Sequence, residues 1–161
     1  HESPLRGDEF VRRKIIIGLI RILKKDQSYF ELGNLYAKRD WGYAKEYVEV
    51  MWKMLQKNKP DDYVIATGKT YSIKDFIDIA TSYLKMNVEW IGKGLNEKLI
   101  NKVSKKVLIK INPKYFRPSE VNVLIGDYSK AKKHLKWKPK TNLKKLISIM
   151  IDDEIKYYNK L

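Results

Sequence analysis

AKEYVEVMWKMLQKNKPDDYVIATG, residues 44–68, decides the fold class. From Ala44 to Lys57 the apolar residues recur at helical spacing. Ala44, Tyr47, Val48, Met51 and Leu55 share one stripe, and Lys45, Glu46, Glu49 and Lys53 lie outside it. Tyr63 to Gly68 is a compact apolar run ending in glycine, the pattern of a strand buried in a parallel sheet. Helices alternating with short strands indicate an α/β fold.

Working outward, the upstream sequence repeats that alternation. Asp8 is placed to cap a helix from about Glu9 to Lys25, with Val11, Ile15, Gly18, Leu19 and Ile22 on one face. Lys24 and Lys25 suit the negative C-terminal end of that helix. SYFEL (28–32) reads as a short strand. Downstream, Ser72 and Asp75 form a capping-box start for a helix carrying Ile73, Phe76, Ile77, Ala80 and Leu84 inward. NVEWIG (87–92) and KVLIKI (106–111) read as strands, with a lysine-rich loop or short helix between them. Ser129 to Leu135 is a short helix, and Thr141 caps a last helix with Leu143, Leu146, Ile147, Met150, Ile155 and Tyr158 inward. There is no internal repeat. No G-x-G-x-x-G occurs, and the eight glycines are scattered. If the strand at 63–68 belongs to a doubly wound sheet, most of that sheet is expected to lie outside these 161 residues.

Composition narrows the partners. The net charge is 34 − 19 = +15, which favours an anion: nucleic acid, a membrane surface or a phosphorylated small molecule. Cysteine is absent, so disulfides and thiolate metal sites are excluded, in keeping with a cytoplasmic protein. The longest apolar run, Ile15 to Ile20, is too short to span a bilayer, and HESPLRGDEF has no signal-peptide core. His1 and His134 are the two histidines, too few for a multi-histidine metal site, and His134 reads as an ordinary helix residue. No phosphate-binding glycine loop, nucleophile elbow or H-E-x-x-H helix appears.

The arginines carry more information. Only six of the 34 basic residues are arginines, and arginine binds phosphate oxygens two at a time where lysine offers a point charge. Arg39 falls after a presumed strand and before a helix, where α/β proteins tend to place ligand contacts. Arg117 lies in YFRPSEV, with Glu120 three positions later. An arginine for phosphate and a carboxylate for a ribose diol suit a nucleotide, and a plain Arg117–Glu120 surface pair suits the same spacing. The lysine-rich stretch 130–145 reads as a solvated face.

HESPLRGDEFVRRKI, LGNLYAKRDWGYAKEYVEVMW, PDDYVIATG, YFRPSEV and GDYSKAKKHLKWKPKT resemble, in order, the C-terminal half of the GDP-mannose 4,6-dehydratases, extended members of the short-chain dehydrogenase/reductase superfamily. The resemblance implies that residues 1–161 are the C-terminal fragment of a two-domain enzyme. Residues of about 41–70 would return to a doubly wound Rossmann-type NADP-binding sheet, while about 8–40 and 71–161 would form mainly the substrate-binding domain. It implies conversion of GDP-mannose to GDP-4-dehydro-6-deoxy-mannose and water. NADP takes hydride from C4 and the hydride returns to C6 after water is eliminated across C5 and C6.

The family's catalytic Ser/Thr, Glu, Tyr and Lys belong to its other half, so no catalytic residue is expected here and the isolated chain is expected to be inactive. By the same resemblance His1 and Arg6 bind the cofactor, and Val11, Lys14, Asn34, Arg39, Arg117 and Glu120 bind the nucleotide-sugar. No metal, nucleic acid or membrane is implied; a homo-oligomer, dimer or tetramer, is. The sequence departs from the family pattern with Arg12 for Thr, Tyr36 for Asp, Tyr43 for His and Glu46 for Asp. The alternatives are a related sugar-nucleotide dehydratase, epimerase or reductase, a basic nucleic-acid-binding module, and a remnant serving as a scaffold.

Overall fold

Side-chain caps fix where two of the helices begin. In the computed structural model, which describes residues 1–116 and 119–160, the chain runs α1 (Val11–Leu23), β1 (Phe30–Leu32), β2 (Lys38–Asp40), α2 (Ala44–Leu55), β3 (Thr70–Ser72), α3 (Ile73–Tyr83), β4 (Val88–Ile91), β5 (Lys98–Asn101), β6 (Val107–Ile111), β7 (Val123–Leu124), α4 (Ser129–Leu135) and α5 (Leu143–Tyr158). The expected capping box opens α3: Ser72 Oγ accepts from the Asp75 N–H at 3.0 Å, and Asp75 Oδ2 accepts from the Ser72 N–H at 2.8 Å. For α5 the cap is Asn142, which accepts from the Lys145 N–H at 2.9 Å. The expected cap, Thr141, instead donates its hydroxyl to Glu46 at 2.5 Å. Helix α1 starts two residues later than expected, because Asp8 accepts from Arg13 Nε at 3.3 Å rather than from the backbone.

Two small sheets hold the strands. The larger has the order β1-β6-β5-β4, with β1 parallel to β6 and the other pairs antiparallel. Its inner strand β5 stands where only a loop or short helix is expected, beside the one helical turn (Gly94–Asn96) that is found there. With Leu99 and Ile100 as its apolar pair, the strand is too short to show a period. The smaller sheet, β3-β2-β7, puts Arg39 within a strand rather than after one; Arg39 lies opposite Tyr71 on one side and Leu124 on the other.

Helices α1, α3 and α5 pack together, and their inward faces share one core with the larger sheet, in which Ile15, Leu19, Phe76, Ile77, Leu99, Ile109, Leu146 and Ile147 are wholly buried. A second, smaller core joins α2 to α4 through Val50, Ala131, Leu135 and Trp137. Here one expectation is corrected. Residues 63–68 form no ladder: Ala66 is buried, but Val64 is 55% exposed. A strand buried on both faces needs neighbours on both edges, and the described residues supply none. On α2, Tyr47 and Val50 turn inward, whereas Val48, Met51 and Leu55 of the apolar stripe face outward with Trp52.

Candidate functional site

The turn from β1 to β2 organises a cleft of about 320 Å³. Gly33 makes the close approach possible, since a Cβ there would stand 2.3 Å from the Tyr115 carbonyl oxygen. This brings Tyr115 beside β1 and opposite α1, where its ring lies 4.6 Å from Lys14 Nζ. Asn34 Oδ1 accepts from the Tyr36 N–H at 2.8 Å, so its Nδ2 remains a donor on the cleft wall. Glu31 accepts from Asn112 Nδ2 at 2.6 Å and pairs with Lys110 at 3.0 Å; these two partners hold its carboxyl below the usual range.

Arg39 closes on its own chain. Its Nη2 donates to Glu120 Oε1 at 2.6 Å, and its Nη1 donates to the carbonyls of Val121 at 2.6 Å and Lys38 at 2.9 Å. The next residue points the other way. Asp40 accepts from the Thr67 N–H at 2.9 Å, the Thr67 hydroxyl at 2.5 Å and the Gly68 N–H at 2.8 Å. One dipeptide therefore supplies a guanidinium to the cleft and a clip to residues 67–68.

A second cleft of about 510 Å³ adjoins the first, and Arg12 and Arg39 line both. His1, Glu2 and Trp41 line the second, and the His1 ring lies 5.6 Å from that of Tyr47. Burial first, then the neighbouring Asp40 and Glu46 carboxylates, push the Tyr47 phenol up to about 12. Arg12 Nε donates to the buried Glu2 carboxylate at 2.8 Å, with its guanidinium 5.6 Å from the Trp41 ring. Arg6 stacks on Phe10 at 3.5 Å, and its Nε lies 3.9 Å from Glu2 Oε2. Both of those atoms are buried without a hydrogen-bond partner.

Of the residues expected at the site, Val11, Lys14, Asn34, Arg39 and Glu120 line the first cleft, and His1 lines the second. Arg6 lines neither, and Arg117 lies outside the described residues. Glu120 is paired with Arg39, from a strand 81 residues away, a partnership that short-range spacing does not reveal. Sequence reasoning also missed Arg12, Glu31, Tyr115 and Asp40. The one available signal was the aromatic pair Tyr115–Phe116 just before Arg117. Among the described residues no group of three His, Cys, Asp or Glu is placed to hold a metal ion, and no helix is long and apolar enough to cross a membrane.

This fold recurs in solved structures. The structure of RMD from Pseudomonas aeruginosa complexed with NADPH superposes with a TM-score of 0.72 at 15% identity, over 94% of this chain and 44% of that one. UDP-glucose 4-epimerase from Thermotoga maritima superposes with a TM-score of 0.66 at 20% identity, over 97% and 42%. The chain thus has the α/β fold of part of the NAD(P)-dependent epimerase and dehydratase structures.

Sequence narrows the class further. The profile described as GDP-mannose 4,6 dehydratase matches residues 1–150, and the chain belongs to that family of extended short-chain dehydrogenases/reductases. It is 48% identical over 160 residues to GDP-mannose 4,6 dehydratase of Drosophila melanogaster, covering 99% of this chain and 40% of that one. To the human GDP-mannose 4,6 dehydratase it is 44% identical over 155 residues, covering 96% and 42%. The chain spans about two fifths of the length of these relatives.

Proposed function

We propose that the protein carrying this chain is a GDP-mannose 4,6-dehydratase, and that residues 1–161 supply its nucleotide-sugar-binding part. The observation that carries this reading is convergence. Val11 and Lys14 from α1, Asn34 and Arg39 from the β1–β2 stretch, and Glu120 from beyond β6 line a single cleft. Its cation, acceptor and donor match a nucleoside diphosphate: Arg39 for the diphosphate, Glu120 to accept from the ribose diol, and Asn34 Nδ2 as a fixed donor. An anion that engages the Arg39 fork competes with Glu120 for it, so diphosphate binding frees the carboxylate for the ribose. Arg117 is proposed for the same diphosphate.

The second cleft suits part of a cofactor, because His1, Arg12 and Arg39 line it and Glu2, whose buried Oε2 has no hydrogen-bond partner, stands among them. NADP, when bound, supplies the acceptor for the C4 hydride and its return to C6. His1 and Arg6 would hold part of it, and Arg12 and Arg39, which line both clefts, would contact both ligands. The outward stripe of α2 and residues 63–68 fit a sheet supplied elsewhere in the protein, within a homo-oligomer. The 161-residue chain alone neither reduces NADP nor dehydrates GDP-mannose; turnover by the pure chain would refute this division.

The test is calorimetric titration of GDP and GDP-mannose into the intact, NADP-loaded protein. Arg39→Lys keeps the charge and loses the fork, and a lost charge-assisted contact of about 1.5–3 kcal/mol weakens binding roughly tenfold or more. Glu120→Gln lowers affinity for GDP more than for pyrophosphate, and the exposed control Lys145→Ala binds as the parent does. If Arg39→Lys binds like the parent while Lys145→Ala does not, the lysine face is the anion site. Product analysis separates a dehydratase from an epimerase or reductase.

A further inference from the structure

We propose that Glu97 is a positioning residue for the nucleotide cleft, held by Tyr36 and Lys74 so that the loop between β1 and β2 presents Asn34 to the ligand. This rests on the nucleotide-binding reading of that cleft.

Glu97 follows a single helical turn (Gly94–Asn96) in the connection from β4 to β5, and it is 3% exposed. A carboxylate is buried at a large desolvation cost unless its oxygens are engaged. Both are. Oε1 accepts from Lys74 Nζ at 2.6 Å and Oε2 accepts from the Tyr36 hydroxyl at 2.6 Å. Lys74, in the first turn of α3, grips the same loop a second time, donating its backbone N–H to the Leu35 carbonyl at 3.0 Å. Its ammonium also lies 4.8 Å from the Trp90 ring, which keeps it over the cluster. Burial pushes the Glu97 carboxyl up, but the Lys74 and Tyr36 hydrogen bonds outweigh that and hold it below its ordinary value, so it stays ionised near neutral pH.

Residues 33–37 carry no ladder of their own, so the polar contacts and the burial of Leu35 in the main core together set the loop's shape. Leu35 is anchored through its carbonyl, and Tyr36 through its hydroxyl. The N–H of Tyr36 then holds Asn34 Oδ1, which decides that Nδ2 is the group offered to the cleft. Release Tyr36 from Glu97 and that orientation loses its fixed support. The Lys105–Glu89 pair on the same sheet offers a contrast. At 2.9 Å it is well formed, but both side chains are exposed and neither touches the loop.

The experiment uses the intact protein and the variants Glu97→Gln, Tyr36→Phe and Lys105→Ala. Measured are the GDP dissociation constant, kcat and KM for GDP-mannose, the melting midpoint, and amide exchange at residues 34–37 without ligand. Glu97→Gln raises the dissociation constant and KM together by about fivefold, and Tyr36→Phe by about threefold, with kcat within about twofold of the parent. Exchange at 34–37 accelerates in both while α3 stays protected, and Lys105→Ala matches the parent. Should Glu97→Gln fail to fold, Tyr36→Phe decides alone, because it keeps the ring and the Glu97–Lys74 pair. The proposal is overturned if the melting midpoint falls while KM and the dissociation constant stay at parental values, or if exchange at 34–37 is unchanged. A parent that binds no GDP defeats the nucleotide reading itself, and the positioning proposal with it. A parent that binds GDP, with variants that match it, defeats the positioning proposal alone.

Discussion

The region built on α1, α3, α5 and the larger sheet and the region built on α2, residues 63–68 and α4 start from the same kind of sequence signal and end differently. In the first, the helices' inward faces find their partners within the chain, and the shared core is extensive. In the second, four buried residues make the core, while Trp52 and Leu55 on α2 remain 62% and 82% exposed. Polar clips hold the second region in place: Asp40 on residues 67–68, Glu46 on residues 140–141 and Lys130 on Asp61 at 2.6 Å. An amphipathic period therefore tells which residues favour burial. It does not tell whether their partner lies in the same stretch of chain.

The largest expected effect tests the first region. Phe76 is wholly buried and meets Trp41 edge-on at 5.7 Å, so Phe76→Ala leaves a cavity and costs about 3–5 kcal/mol in urea unfolding of the 161-residue chain. The matching change in the second region, Trp52→Ser, shifts stability by less than about 0.5 kcal/mol and reduces self-association in sedimentation. If the two substitutions destabilise equally, the α2 stripe is packed in solution and the contrast between the regions collapses.

The next effect concerns the clip. Asp40→Ala leaves the N–H groups of Thr67 and Gly68 without their acceptor and costs about 2 kcal/mol. Amide exchange at Thr67 and Gly68 accelerates, while exchange in α3 changes little. Unchanged exchange at 67–68 would mean that packing of Ala66 against Gly126 holds the segment instead.

The same contrast explains what the sequence could reveal. The α3 capping box and the bounds of α4 were legible because both are set by residues within a few positions of each other. The fate of 63–68 was not, because a buried strand is defined by neighbours that the chain itself does not show. Strand β5 was hidden by its length. At the site, five of the expected binding residues do line one cleft, and they were reached through motifs rather than periodicity. Arg12 was noticed only as a departure, and its place between two clefts follows from its pairing with Glu2, ten residues back and on the far side of a turn. Glu97 gave no local signal, since its partners lie 23 and 61 residues away.

The smallest expected effect is a pH dependence inside the first region, where α1 and α5 meet. Glu154 on α5 is buried, and Arg13 Nη2 on α1 lies 2.5 Å away without the alignment of a hydrogen bond. Burial pushes the Glu154 carboxyl above its ordinary 4.5, outweighing the pull of Arg13, and the nearby Asp8 and Asp153 add to the push. The folded chain therefore keeps this proton to higher pH than the unfolded chain does. The stability it contributes is full below 4.5 and is lost as pH rises through the raised value. Glu154→Gln, which places a neutral amide in the same space, removes that loss, so the variant gains on the parent on going from about pH 4 to about pH 7. Paired urea titrations across that range measure the gain. A difference that shrinks or reverses with rising pH would show that the Arg13 attraction outweighs burial, and that the contact between α1 and α5 is held by charge rather than in spite of it.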